Sequence, residues 1–129
     1  MILDTSFVID VLRGDPAVAD WEAQLDSGRT AIVTAVTVME LSEGIHLADA
    51  SEPERDRVRE FLEDVRHAPF DHTAALQAGE LSASLQREGA MVEIEDVMIA
   101  AIALGRNETV LTGNPSHFTR IEGLTVERY

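Results

Sequence analysis

The sequence predicts an α/β fold: one central, mostly parallel sheet of four to five strands with helices on both faces. Three observations predict it. Short β-branched or aliphatic runs alternate with longer segments of helical spacing along the whole chain. The length of 129 residues is close to the modal size of one domain, so residues 1–129 are read as a single unit. The apolar fraction of 45% suits a globular core and argues against disorder, despite a formal net charge of -14.

The elements follow in order. "MIL" is the first strand and Ser6 to Leu12 the first helix, with Gly14 at its expected end. Pro16 fits the opening turn of a helix from Pro16 to Asp26, after which Gly28 ends it. "TAIVT" from Thr30 to Thr34 is the second strand. A helix from Val36 to Leu47 carries Val38, Leu41 and Ile45 as an apolar stripe. Ser51 with Glu54 has capping-box spacing ahead of a helix from Glu52 to Val65. "HAPF", ending at Phe70, is the third strand, followed by a helix from Thr73 to Arg87 and then Gly89. The segment Glu93 to Leu104 is apolar almost all round beyond its first turn, which marks a central, buried helix ending near Gly105. "TVLT" from Thr109 to Thr112 and the closing "LTVERY" complete the strands.

Composition narrows the chemistry. All ten basic residues are Arg, against 24 Asp and Glu, and the pI is about 4.4. Such an acidic surface reads as adaptation to salt and should repel nucleic acid unless bound cations or high ionic strength screen it. Without Cys, disulfides, thiolate catalysis and Cys-based metal sites are excluded. The first residues lack the basic region of a signal peptide, and the longest apolar run, "VMIAAIAL", is too short to cross a membrane, so a cytoplasmic protein is expected.

In open parallel sheets, sites form beyond the carboxyl ends of the strands, where strand order reverses. Four residues are candidates there. Asp4 follows the first strand and can either cap the next helix or face the crevice, since Thr5 and Ser6 can cap in its place. Glu40 lies off the apolar stripe of its helix and shares a face with Gly44; a helical glycine costs about 1 kcal/mol relative to Ala, which hints at close packing on that face. Asp96 heads the buried helix, where it can serve the helix dipole or bring charge to the rim of the core. Asn114 precedes Pro115 as a helix start, while its carbonyl could also serve a hard cation; Thr112 and Ser116 add hydroxyls nearby. Three carboxylates in one crevice repel one another unless a cation sits among them. A hard divalent ion such as Mg²⁺, bound through carboxylate oxygen and retained water, is the economical partner.

These pieces, "MILDTSFVIDVLRG", "TVMELSEGI", "IEDVMIAAIAL" and "VLTGNPSHF", resemble those of PIN domains, and more closely those of VapC ribonuclease toxins of toxin-antitoxin pairs. The resemblance spans the chain and implies a PIN-like domain. It implies an acidic metal cluster of Asp4, Glu40 and Asp96, with Asn114 at the fourth position, and Mg²⁺ or Mn²⁺ as cofactor. RNA is the implied substrate, a homodimer the implied assembly and a small VapB-like antitoxin the implied partner. His117 stands where relatives often carry a further acid, which puts a second metal in question.

The implied reaction is metal-dependent hydrolysis of an RNA phosphodiester, with Ser6, Thr112 and Ser116 supporting the site; Arg13, near the first helix end, and Arg120, beyond the last motif, are candidates either for phosphate contact or for surface ion pairs. A binding module of the same fold without cleavage is the non-enzymatic alternative. Phosphoryl transfer through an aspartyl intermediate is a weaker rival, because it calls for a Lys that the chain lacks and an acid where Ser6 stands.

Overall fold

The computed structural model describes residues 1–129. Strands β1 (Ile2–Leu3), β2 (Ile32–Thr34), β3 (Arg66–Ala68), β4 (Val110–Thr112) and β5 (Val126–Arg128) form one sheet in the order β3-β2-β1-β4-β5. Every neighbouring pair is parallel, so the expected mostly parallel sheet is parallel throughout. The helices are α1 (Thr5–Arg13), α2 (Ala19–Asp26), α3 (Ala35–Leu47), α4 (Glu52–Asp64), α5 (His72–Arg87) and α6 (Ile94–Arg106).

Side chains along a strand alternate between faces, and here the alternation divides the core in two. Ile2, Ile32 and Val110 join α5, α6, Phe118 and Ile121 on one face. Leu3, Val33 and Leu111 join Phe7 and Val8 of α1, Val18 and Leu41 on the other. Helices cover both faces as expected. Each fully buried side chain of this kind contributes about 1.5–3 kcal/mol. None of the helices is long and apolar enough to cross a membrane.

Local signals account for most boundaries. The capping box at Ser51 is formed in both directions, with Ser51 N donating to Glu54 Oε2 at 3.0 Å and Glu54 N donating to Ser51 Oγ at 3.4 Å. Gly14 ends α1 in the left-handed region at φ 69°, a conformation that costs glycine little. Strand β3 is Arg66–Ala68, ending two residues before the expected Phe70, and two helix boundaries also differ from expectation. Pro16 opens a short 3-10 turn, Pro16–Val18, capped by Asp15, and α2 begins only at Ala19. Helix α6 runs through Gly105 to Arg106 and ends on Asn107 at φ 53°, because Asn also tolerates that conformation.

Two junctions matter for the site. Strand β2 passes into α3 without a loop, its last residue Thr34 accepting a hydrogen bond from Thr37 N at 3.2 Å. Strand β1 passes into α1 across a single residue, Asp4. The chain lays β2 and β3 on one side of β1, then crosses to lay β4 and β5 on the other. Strand order therefore reverses between β1 and β4, and a crevice opens beyond their carboxyl ends.

Candidate metal centre

Asp4 occupies the switch point and is only 5% exposed. Its backbone takes the cap position of α1, yet its side chain caps nothing. Instead Oδ2 accepts hydrogen bonds from Thr112 Oγ1 at 2.7 Å and Ser6 Oγ at 3.0 Å. Those hydroxyls are fixed in turn: Gly113 N donates to Ser6 Oγ at 3.3 Å, and Asn114 N donates to Thr112 Oγ1 at 3.0 Å. The ends of β1 and β4 are thereby tied through one carboxylate oxygen.

Glu40 reaches the same crevice from the second turn of α3, one turn beyond the buried Val36 and Thr37. Its Oε1 accepts from Thr5 Oγ1 at 2.7 Å, and Thr5 Oγ1 lies 3.0 Å from Thr37 Oγ1. Burial pushes the Glu40 carboxyl above its ordinary value; the Thr5 bond opposes this, and the charges of Asp4, Asp96 and Glu95 add to it.

Asp96 enters from the first turn of α6, and its Oδ2 is 3.1 Å from His117 Nδ1. Burial and then the neighbouring charge of Asp4 push its carboxyl up to about 6, against the opposing pull of His117. Both Glu40 and Asp96 thus feel Asp4, so the three sequence-predicted acids share one electrostatic environment.

In each of the three carboxylates one oxygen is tied to a side chain, whereas Asp4 Oδ1, Glu40 Oε2 and Asp96 Oδ1 take no hydrogen bond and none is sealed from solvent. No three Asp, Glu or His side chains converge closely enough to hold an ion by themselves. Mg²⁺-like ions bind through one or two carboxylates and keep several waters.

The other sequence-predicted residues fall as follows. Asn114 begins the 3-10 turn Pro115–His117, but it is exposed and its side chain caps nothing. Ser116 is exposed in that turn and meets the rest of the chain only through its carbonyl, which accepts from Thr119. Arg13 lines a groove of about 500 Å³ beside Glu40, together with Arg57 and the apolar Ile9, Leu12 and Ile45. Arg120 is exposed beyond the turn. Gly44 does not mark close packing: nothing lies within 4 Å of where its Cβ would stand, because it borders that same groove.

Sequence reasoning named His117 as a departure from the family pattern but not its partner Asp96, and it missed Tyr129 and Gly113. His117 lacks any ligand-like spacing in the chain and meets Asp96 only when the 3-10 turn folds against α6. Tyr129 donates to Asp10 Oδ2 at 2.6 Å across a separation of 119 positions, and packs edge-on against Phe7 with ring centroids 5.0 Å apart. Burial and the bond to Asp10 push its phenol up to about 12. A Cβ on Gly113 would lie 2.8 Å from Tyr129 Oη, so the tyrosine presses on the turn that fixes Ser6 and Asp4.

This architecture has relatives. The model of the PIN domain matches residues 1–124. The chain is 31% identical to the tRNA(fMet)-specific endonuclease VapC of Shigella flexneri and 32% identical to that of Salmonella typhimurium, in both cases over 98% of this chain and 95% of the relative. Among solved structures, the DNA-bound VapBC of Salmonella typhimurium matches with a TM-score of 0.88 at 31% identity, covering 98% of this chain and 96% of that one. The VapBC2 of Rickettsia felis, bound to a DNA fragment from its promoter, matches the fold with a TM-score of 0.91 at 22% identity, over 99% and 97% of the two chains. With its acids at the switch point of a parallel sheet and full-length kinship to these proteins, the chain belongs to the PIN-domain family, in its VapC branch.

Proposed function

We propose that the protein is a divalent-metal-dependent endoribonuclease, the toxin of a type II toxin-antitoxin pair. The observation that carries this reading is the set of three carboxylates at the β1/β4 crevice, each with one oxygen tied and one uncommitted. Asp4 and Asp96 are the direct ligands of Mg²⁺ or Mn²⁺, and Glu40 either joins them or orients the attacking water. A divalent ion held there would supply Lewis-acid activation of water and of the phosphodiester, and a local positive charge toward phosphate.

The remaining roles belong to the chain itself. Thr112 and Ser6 hold Asp4 through Oδ2, which leaves Oδ1 available as the oxygen that would hold an ion. Asn114 lends its side-chain carbonyl at the rim, Ser116 a further hydroxyl, and Arg13 and Arg120 contact phosphates flanking the cleaved bond. Like the VapBC complexes it resembles, the protein pairs with a VapB-like antitoxin, and it assembles as a homodimer. Its place of action is the cytoplasm.

The test is cleavage of structured RNA by protein purified free of any antitoxin, at high KCl, with Mg²⁺ or Mn²⁺. Cleavage that stops with chelator and falls at least about 100-fold in Asp4→Asn supports the proposal; loss of even an outer-shell partner of a metal ligand typically costs 10–100-fold. A wild-type protein that cuts no RNA with either metal is a binding module instead.

A further inference from the structure

Tyr129 and Asp10 form a partly buried pair to which the reading above gives no role. Two features of the backbone bring the phenol to the crevice. The parallel register sets Thr112 against Arg128, so the residues that follow, Gly113 and Tyr129, leave the sheet side by side. On α1, Ser6 and Asp10 are four positions apart and therefore share one face. A phenol that donates to Asp10 Oδ2 at 2.6 Å is thereby held next to Ser6.

The ring is fixed from two sides, by Asp10 and by the edge-on contact with Phe7. Its oxygen lies 2.8 Å from where a Gly113 Cβ would stand, so a side chain at that position would displace the phenol. Besides burial and Asp10, the Ser6 hydroxyl and the charge of Asp4 act on it. These neighbours are the groups that hold Asp4: Gly113 N donates to Ser6 Oγ at 3.3 Å, and Ser6 Oγ donates to Asp4 Oδ2 at 3.0 Å. A hydroxyl carries one proton. Ser6 gives that proton to Asp4, and the amide of Gly113 is the donor that orients it.

We propose that Tyr129 is a positioning residue for the metal site: held by Asp10, it braces the Gly113 turn, so that the Gly113 amide orients Ser6 and Ser6 orients Asp4. It acts through Ser6 and not on the ion. The inference rests on the metal-site reading and extends it from the carboxylates to the wall behind them.

The experiment uses the full chain and two readouts, amide hydrogen exchange without metal and calorimetric titration with Mn²⁺ alone. Tyr129→Phe keeps the ring and removes the hydroxyl. It is expected to speed exchange of the Gly113 amide at least about tenfold and to weaken Mn²⁺ binding about tenfold, the low end of the range for outer-shell partners. Asp10→Asn, which can still accept from the phenol, should stay near wild type in both readouts, whereas Asp10→Ala should match Tyr129→Phe. In a Ser6→Ala background, Tyr129→Phe should have no further effect on Mn²⁺ affinity, because the two residues act in series. Val18→Ala, in the core on the same face of the sheet, should lower the melting temperature and leave Mn²⁺ affinity unchanged. Wild-type affinity in Tyr129→Phe, a loss that Val18→Ala matches, or one that persists in full without Ser6 would overturn the inference while the metal-site reading stands. A wild type that binds no Mn²⁺ would overturn both.

Discussion

A hydroxyl that holds one oxygen of a carboxylate decides where the other oxygen goes. Thr112 and Ser6 do this for Asp4, and Thr5 does it for Glu40. Thr112→Val, which keeps shape and removes the donor, is expected to leave the fold intact and weaken Mn²⁺ binding by about 10–100-fold, as read by calorimetry. Asp96 allows a second prediction. Its carboxyl is pushed up to about 6 from an ordinary 3.8, so the folded protein binds that proton more tightly than the unfolded chain. The associated stability is fully present below about pH 4 and is lost as pH rises through about 6. Without metal, Asp96→Asn should therefore gain stability over wild type, and the gain should be larger at pH 7 than at pH 5 in urea melts with chelator present. Saturating Mn²⁺ should reverse the order at pH 7, because the ion binds the folded wild type only.

The helices and strands were legible because their signals are local. Alternating short strands, a formed Ser51/Glu54 capping box and an almost wholly apolar α6 all lie within a few residues of one another. Asp4 and Asp96 could be placed near one another because the parallel architecture dictates where strand ends and helix starts meet, whereas Glu40, in the second turn of α3, was singled out through Gly44. The remainder depends on contacts between distant elements. Asp4 serves as a tie between β1 and β4 rather than as a side-chain cap, and Gly44 borders a groove rather than a packed face. The Tyr129 to Asp10 bond joins β5's end to α1 and leaves no trace in local spacing. This contact carries its own prediction. Gly113→Ala should cost about 1–3 kcal/mol by overpacking against a ring already fixed by Phe7 and Asp10. Adding Tyr129→Leu should cost less than the sum of the two single changes, a coupling that a double-mutant cycle by thermal melting reads directly.

The whole molecule carries a formal charge of -14, and a nuclease for a polyanion has to overcome it. Screening falls on long-range repulsion between surface and RNA, while ions bound in a crevice act at short range. RNA cleavage should therefore rise as KCl is raised from low to high concentration, opposite to the decline usual for basic RNA-binding proteins; initial rates across a salt series check this. At this scale the central claim is that Asp4, at β1's end, and Asp96, in α6, hold one ion beside Glu40 of α3. Anomalous diffraction from crystals soaked in Mn²⁺ tests it most directly. A peak within about 2.5 Å of an oxygen of Asp4 and of Asp96 is the predicted result; an ordered crevice with no peak, or Mn²⁺ bound only elsewhere, would contradict it.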